Sequence, residues 1–110
     1  MKRASRQAVE EARLTEELVR TVLGWRSAPG RFLKDGRAWM SKWRFAPFER
    51  LEDALQLLDI AADHYSLTND RRGQGFTVEI TIGPNTIKSS GKLKARTIAH
   101  ALARALGVEV

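Results

Sequence analysis

The residues with the most to offer chemically sit in SSGKLKAR, positions 89–96. Ser89, Ser90 and Gly91 precede a helical pattern, and Lys92, Lys94 and Arg96 fall in or beside its first turn. Free N–H groups at a helix start, hydroxyls and clustered cations together can hold a phosphate or another anion. Arg71 and Arg72, in the polar stretch NDRRGQG, would extend the cluster. An ordinary reading competes and is the stronger: long basic side chains point into water and cost only ~0.3–1 kcal/mol each against the helix dipole. The candidate anion or nucleic-acid site is therefore Lys92, Lys94, Arg96, Arg71, Arg72 and Ser90. It requires that these residues share one exposed face.

A second stretch, GRFLKDGRAWMSKWRFAPF at 30–48, interleaves Phe32, Trp39, Trp43, Phe45 and Phe48 with Arg31, Lys34, Arg37, Lys42 and Arg44. Such a pattern either stacks nucleic-acid bases, at ~1–3 kcal/mol per base, or fills the core of a small domain. Asp35-Gly36 favours a two-residue hairpin turn. That turn would set Phe32 opposite Trp39 and make both structural. The arginine stems would then cover ring edges. The core reading is the expectation, with Trp43 the one aromatic most readily given to an interface.

Other chemistries fail on spacing. SSGK lacks the glycine spacing and the following Ser/Thr of a phosphate loop. There is no cysteine nucleophile and no G-x-S-x-G. Asp63-His64 has no second histidine close in sequence, so no metal set forms. Carboxylates four apart (Glu49 and Asp53; Asp59 and Asp63) are what the solvated face of an amphipathic helix carries. The expectation is a protein that is not an enzyme and needs no cofactor.

Charge points to a partner. The chain of 110 residues carries a net +6, yet residues 51–70 hold five acids and no Lys or Arg. A basic molecule with one acidic segment suits docking to a polyanion, to another protein, or to a second copy of itself. No apolar run approaches the ~20 residues of a membrane span. The start, MKRASRQAVEEARL, lacks a signal-type apolar core. With no cysteine, the cytoplasm is the expected compartment.

The elements that must position these residues follow from periodicity. Residues 1–6 read as a flexible basic end, and 7–110 as a single domain. A helix from about Gln7 shows Val9, Ala12, Val19, Val22 and Leu23 at helical spacing, broadened by Leu14 and Leu18, and stops at Gly24. The hairpin around Asp35-Gly36 follows. After Pro47 a second helix sets Phe48, Leu51, Leu55, Leu58, Ala62 and Tyr65 in one stripe. HYSLT, FTVEITIG and TIKSS read as a three-strand meander, turned at Pro84-Asn85. A closing helix, Leu93 to Leu106, buries Ala95, Ile98, Ala99, Leu102 and Leu106 before Gly107. The order helix, hairpin, helix, meander, helix predicts an α+β domain, one antiparallel sheet with packed helices.

Two resemblances attach to these motifs. VLGW (Val22 to Trp25), the hairpin, WRFAPF (Trp43 to Phe48), LEDALQLL, the Phe/Val/Ile strand and the closing ALGVEV, in that order, look like the small phage α-β-α sandwich domain. That likeness spans nearly the whole chain and implies a compact sandwich and a phage- or prophage-related role, with no catalytic residues to carry over. Residues 48–107, with KLKAR opening the last helix, are similar to a double-stranded-RNA-binding domain. This would give Lys92, Lys94 and Arg96 to phosphates, although Leu93 interrupts the usual adjacent lysines. The leading expectation is a non-catalytic phage-related accessory or interaction protein. A nucleic-acid-binding module and a homo-oligomeric assembly protein are the alternatives.

Overall fold

The computed structural model describes residues 6–34, 38–69 and 75–108. Helix α1 (Arg6–Leu18) runs into a π-helical turn, Val19–Leu23. Gly24 ends it at φ 72°, its N–H returning to the Arg20 carbonyl at 3.1 Å. A side chain there would clash with its own backbone, which is why glycine closes the helix. The buried face is Glu11, Leu14, Leu18 and Val19. Val9 and Ala12, expected in the apolar stripe, are exposed instead. The buried face is centred on Leu14 and Leu18, which sets Glu11 against Arg96 from later in the chain.

Next comes a small antiparallel sheet in the order β1 (Arg26–Ala28), β2 (Arg31–Leu33), β3 (Trp39–Ser41). Phe32 stands opposite Ser27 and Met40, and Leu33 opposite Arg26 and Trp39. The expected pairing of Phe32 with Trp39 is therefore wrong by one position. Lys34 N–H donates to the Ala38 carbonyl at 2.9 Å, so three residues rather than two separate the paired ends. A one-residue slip turns every side chain to the other face. Phe32 and Met40 share the inward face, and Trp39 points outward. The observed register puts Met40 rather than Trp39 beside buried Phe32, against the local preference of Asp-Gly for a two-residue turn. Residues 35–37 lie outside the described residues.

A 3-10 turn, Lys42–Arg44, delivers Phe45, Pro47 and Phe48 to the interior. Helix α2 (Leu51–Ala61) follows, its first turn acidic and favourable for the helix dipole. Asp53 reaches back to accept the Ala46 N–H at 2.9 Å, fixing the entry. Its buried face is Ala54, Leu57 and Leu58. Leu51, expected in the stripe, is an exposed apolar residue, and Tyr65 belongs to the next strand.

The meander is a second, separate sheet in the order β4 (His64–Asn69), β5 (Phe76–Ile82), β6 (Asn85–Gly91). Its hairpin turn is Gly83-Pro84, one residue earlier than expected, since Ile82 pairs with Asn85. Alternation holds: Phe76, Val78 and Ile80 are buried, while Glu79 faces out. Helix α3 (Lys94–Ala105) lies on β5 and β6 and takes α2 on its far side. It is buried almost all round, through Ala95, Thr97, Ile98, Ala99, Ala101, Leu102, Ala103 and Ala105. Those alanines permit the close approach of three layers. Gly107, at φ 77°, closes α3. The architecture is α+β, with two three-stranded antiparallel sheets where one was expected. The first sheet packs on the end of α1 through Trp25, Phe32 and Phe45, whose rings lie 5.6–6.3 Å apart.

Candidate interaction site

The basic cluster at α3 divides. Lys92 and Lys94 are exposed, Lys94 with its ammonium 6.0 Å from the Phe76 ring. Arg96 turns inward: its Nε donates to Glu11 Oε2 at 2.7 Å and Nη2 to Oε1 at 3.3 Å. Ser90 belongs to β6, and its hydroxyl lies 2.9 Å from that of Thr77 on β5. The residue preceding α3 is Leu93, which gives no side-chain cap. Arg71 and Arg72 lie outside the described residues. The structure thus leaves Lys92 and Lys94 exposed, pairs Arg96 with Glu11, and sets Ser90 in a surface contact with Thr77.

A cleft of about 390 Å³ opens elsewhere, between α1 and the segment after β3. From α1 come Gln7, Ala8, Glu11, Ala12, Thr15 and Glu16; opposite stand Phe32, Lys42, Trp43, Phe45, Phe48 and Glu49, with Arg96 from α3. Its polar groups are organised in two sets. Glu11, buried, holds Arg96, accepts from Gln7 Nε2 at 3.4 Å and lies 3.5 Å from His100 Nε2. His100 in turn sets its ring edge-on to Phe48, 4.9 Å between centroids. Glu16 binds the Lys42 ammonium and accepts from Ser27 Oγ at 3.0 Å. The Lys42 contact, aided by Ser27, holds the Glu16 carboxyl below its ordinary range. Nothing in the sequence motifs nominated Glu11. Its position, three and seven residues before Leu14 and Leu18, placed a carboxylate on the buried face, and that was the available signal.

The aromatics sort by residue type. Phe32, Phe45 and Phe48 are core, as expected. Trp43 stands at the cleft mouth, 69% exposed, with the Arg44 guanidinium 5.4 Å from its ring. Trp39 is 57% exposed, with Arg31 at 5.8 Å. A core role for all the tryptophans is therefore excluded. Single exposed aromatics are common, but two within five residues, each beside an arginine, form a cationic-aromatic surface.

Three acids on or just after α2 make local hydrogen bonds. Asp53 accepts from Ala46, Asp59 from the Tyr65 hydroxyl, and Asp63 from the Gly83 N–H at 2.7 Å. The Asp59 bond raises the Tyr65 phenol above its ordinary value. Among the described residues no three His, Asp or Glu side chains converge as a metal site, and no helix is long and apolar enough to cross a membrane.

No family model matches the chain, and no curated protein does either. A solved structure does. The chain shares its fold with a phage protein. That protein, from Bacillus cereus ATCC 14579, superposes with a TM-score of 0.74 at 12% identity, over 100% of this chain and 95% of its own. The whole-chain resemblance to phage sandwich domains thus has a counterpart in three dimensions. The likeness to double-stranded-RNA-binding domains has no family model behind it. At this identity the shared property is the fold.

Proposed function

We propose that this protein is a non-catalytic accessory protein of phage or prophage origin, cytoplasmic, which works by binding a protein partner at the cleft bordered by Trp43. The observation that carries the reading is Trp43 itself, 69% exposed beside a cleft lined by buried phenylalanines. A large exposed aromatic at the rim of a preformed cleft with mixed apolar and polar walls is a feature binding hot spots share. Four of the charged groups in the cleft pair with one another, Glu11 with Arg96 and Glu16 with Lys42. Such pairs brace the walls and favour recognition over proton transfer. The phage origin is supported by the fold shared with the Bacillus cereus protein.

Photo-crosslinking tests this. A photoreactive side chain at position 43, in cells carrying the phage genome, should give one discrete adduct, absent when the probe sits at exposed Thr68 on β4. An adduct with a second copy of the chain would make the partner the protein itself. Identical adduct patterns at both positions, or none at position 43, would sink the reading.

A further inference from the structure

The outer face of the small sheet is a second surface, separate from the cleft. The register places Arg26, Ala28, Arg31, Leu33, Trp39 and Ser41 on it, with no carboxylate among them. Arg26 and Arg31 are exposed, and Trp39 is exposed beside them among the described residues. The other sheet shows what this chain does with a face meant for water. There the outward residues are polar in every strand, among them His64, Ser66, Thr68, Thr77, Glu79 and Lys88. A tryptophan beside Arg31, with Arg26 two strands away on the same face, departs from that pattern, on a molecule of net charge +6.

We propose that this face binds single-stranded nucleic acid, Trp39 stacking a base while Arg26 and Arg31 hold the adjacent phosphates. Arg31 already lies against the indole at 5.8 Å, so a planar cation and a planar ring meet the strand together. A flat indole on an open sheet meets the ring face of a base only where bases are unstacked from a duplex, which selects a single strand over a double one. Charge complementarity supplies the attraction. The proposal extends the reading of this protein as an interaction module and does not depend on the cleft.

The test is fluorescence anisotropy with labelled oligothymidylate of twelve nucleotides, a twelve-base-pair DNA duplex and polyglutamate, from low to physiological salt. The oligothymidylate should bind most tightly and quench tryptophan emission. The logarithm of its affinity should fall with log salt at a slope of about −1.4, for two arginines. Trp39→Ala should weaken it at least about 5-fold, Trp39→Phe should retain most of the affinity, and Lys92→Ala with Lys94→Ala should leave it unchanged. Trp39 is exposed, so circular dichroism should show the Ala variant folded; Arg31→Glu, also at the surface, checks the face independently. Equal binding of the duplex, equal binding of polyglutamate (an acidic protein partner), indifference to Trp39→Ala, or no binding at all would each overturn the proposal. None of these results touches crosslinking at position 43.

Discussion

The two sheets are built from the same kind of antiparallel pairing but are finished differently. The larger, β4 to β6, buries Phe76, Val78 and Ile80 beneath α3 and shows water a polar face. Hydroxyl pairs knit that outer face, Thr77 with Ser90 at 2.9 Å and Thr81 with Thr86 at 3.0 Å. The smaller, β1 to β3, has strands of three residues, one buried phenylalanine and an outer face of arginines and tryptophan. Short strands cannot carry much core, so its stability comes from docking on α1 and on the Trp25, Phe32 and Phe45 cluster. One sheet serves stability. The other is held in place with its outer side left open.

The largest effects should come from the anchors of each layer. Leu102→Ala, in α3, should cost about 2–5 kcal/mol, and Phe32→Ala, in the small sheet, about 3–5 kcal/mol. If the two sheets form one cooperative unit, denaturant unfolding of either variant stays a single transition at lower midpoint. A Phe32→Ala protein that loses only the tryptophan signal, with far-UV dichroism unfolding as before, would make the small sheet a satellite.

Gly91→Ala should come next, at about 1–3 kcal/mol from overpacking. An added Cβ would sit 2.3 Å from Thr97 Oγ1, where β6 passes into α3. The Thr97 hydroxyl donates to the Leu93 carbonyl at 2.8 Å and cannot move without breaking that bond. Removing the obstacle with Thr97→Ala should make the double variant more stable than the sum of the two single losses predicts. Strict additivity would show that the clash is relieved some other way.

The two carboxylates of α1 give the sharpest comparison between layers. Glu11 ties α1 to α3 from a buried position, whereas Glu16 ties it to the small sheet at the surface. Glu11→Ala should cost about 1–3 kcal/mol, because Arg96 loses a charged, paired hydrogen-bond partner. Glu16→Gln should cost less than about 1 kcal/mol, since water screens the pair. The Glu16 carboxyl is held below its ordinary range in the folded protein. Its contribution is therefore fully present above about pH 5 and is lost as pH falls through the lowered value. The stability difference between wild type and Glu16→Gln should hold steady above about pH 5 and shrink as pH falls from there through the lowered value. Constant separation across that range would assign the tie to something other than the ionised carboxylate.

Much of the architecture was legible in the residue pattern. Gly24 and Gly107 marked helix ends because their backbone must turn left-handed there. FTVEITI alternated with the period of a strand, and the alanines of α3 announced close packing. Neighbouring residues along the chain settle such features. The candidate site was less legible. The basic cluster read from SSGKLKAR lost Arg96 to Glu11, a residue 85 positions away, and Ser90 to Thr77 on the next strand. Trp39 changed sides because the strands pair one residue away from the register that its turn residues favour, which sets Met40 opposite Phe32.

Composition, helix stops and strand alternation were thus determined by the sequence itself, since each depends on local backbone energetics and on side-chain period. Which charges are spent internally, which tryptophans remain outside, and that two sheets form in place of one were decided only in the tertiary structure. Those outcomes depend on partners far apart in the chain, and pairing energies between distant groups outweigh the fractions of a kilocalorie that local preference supplies.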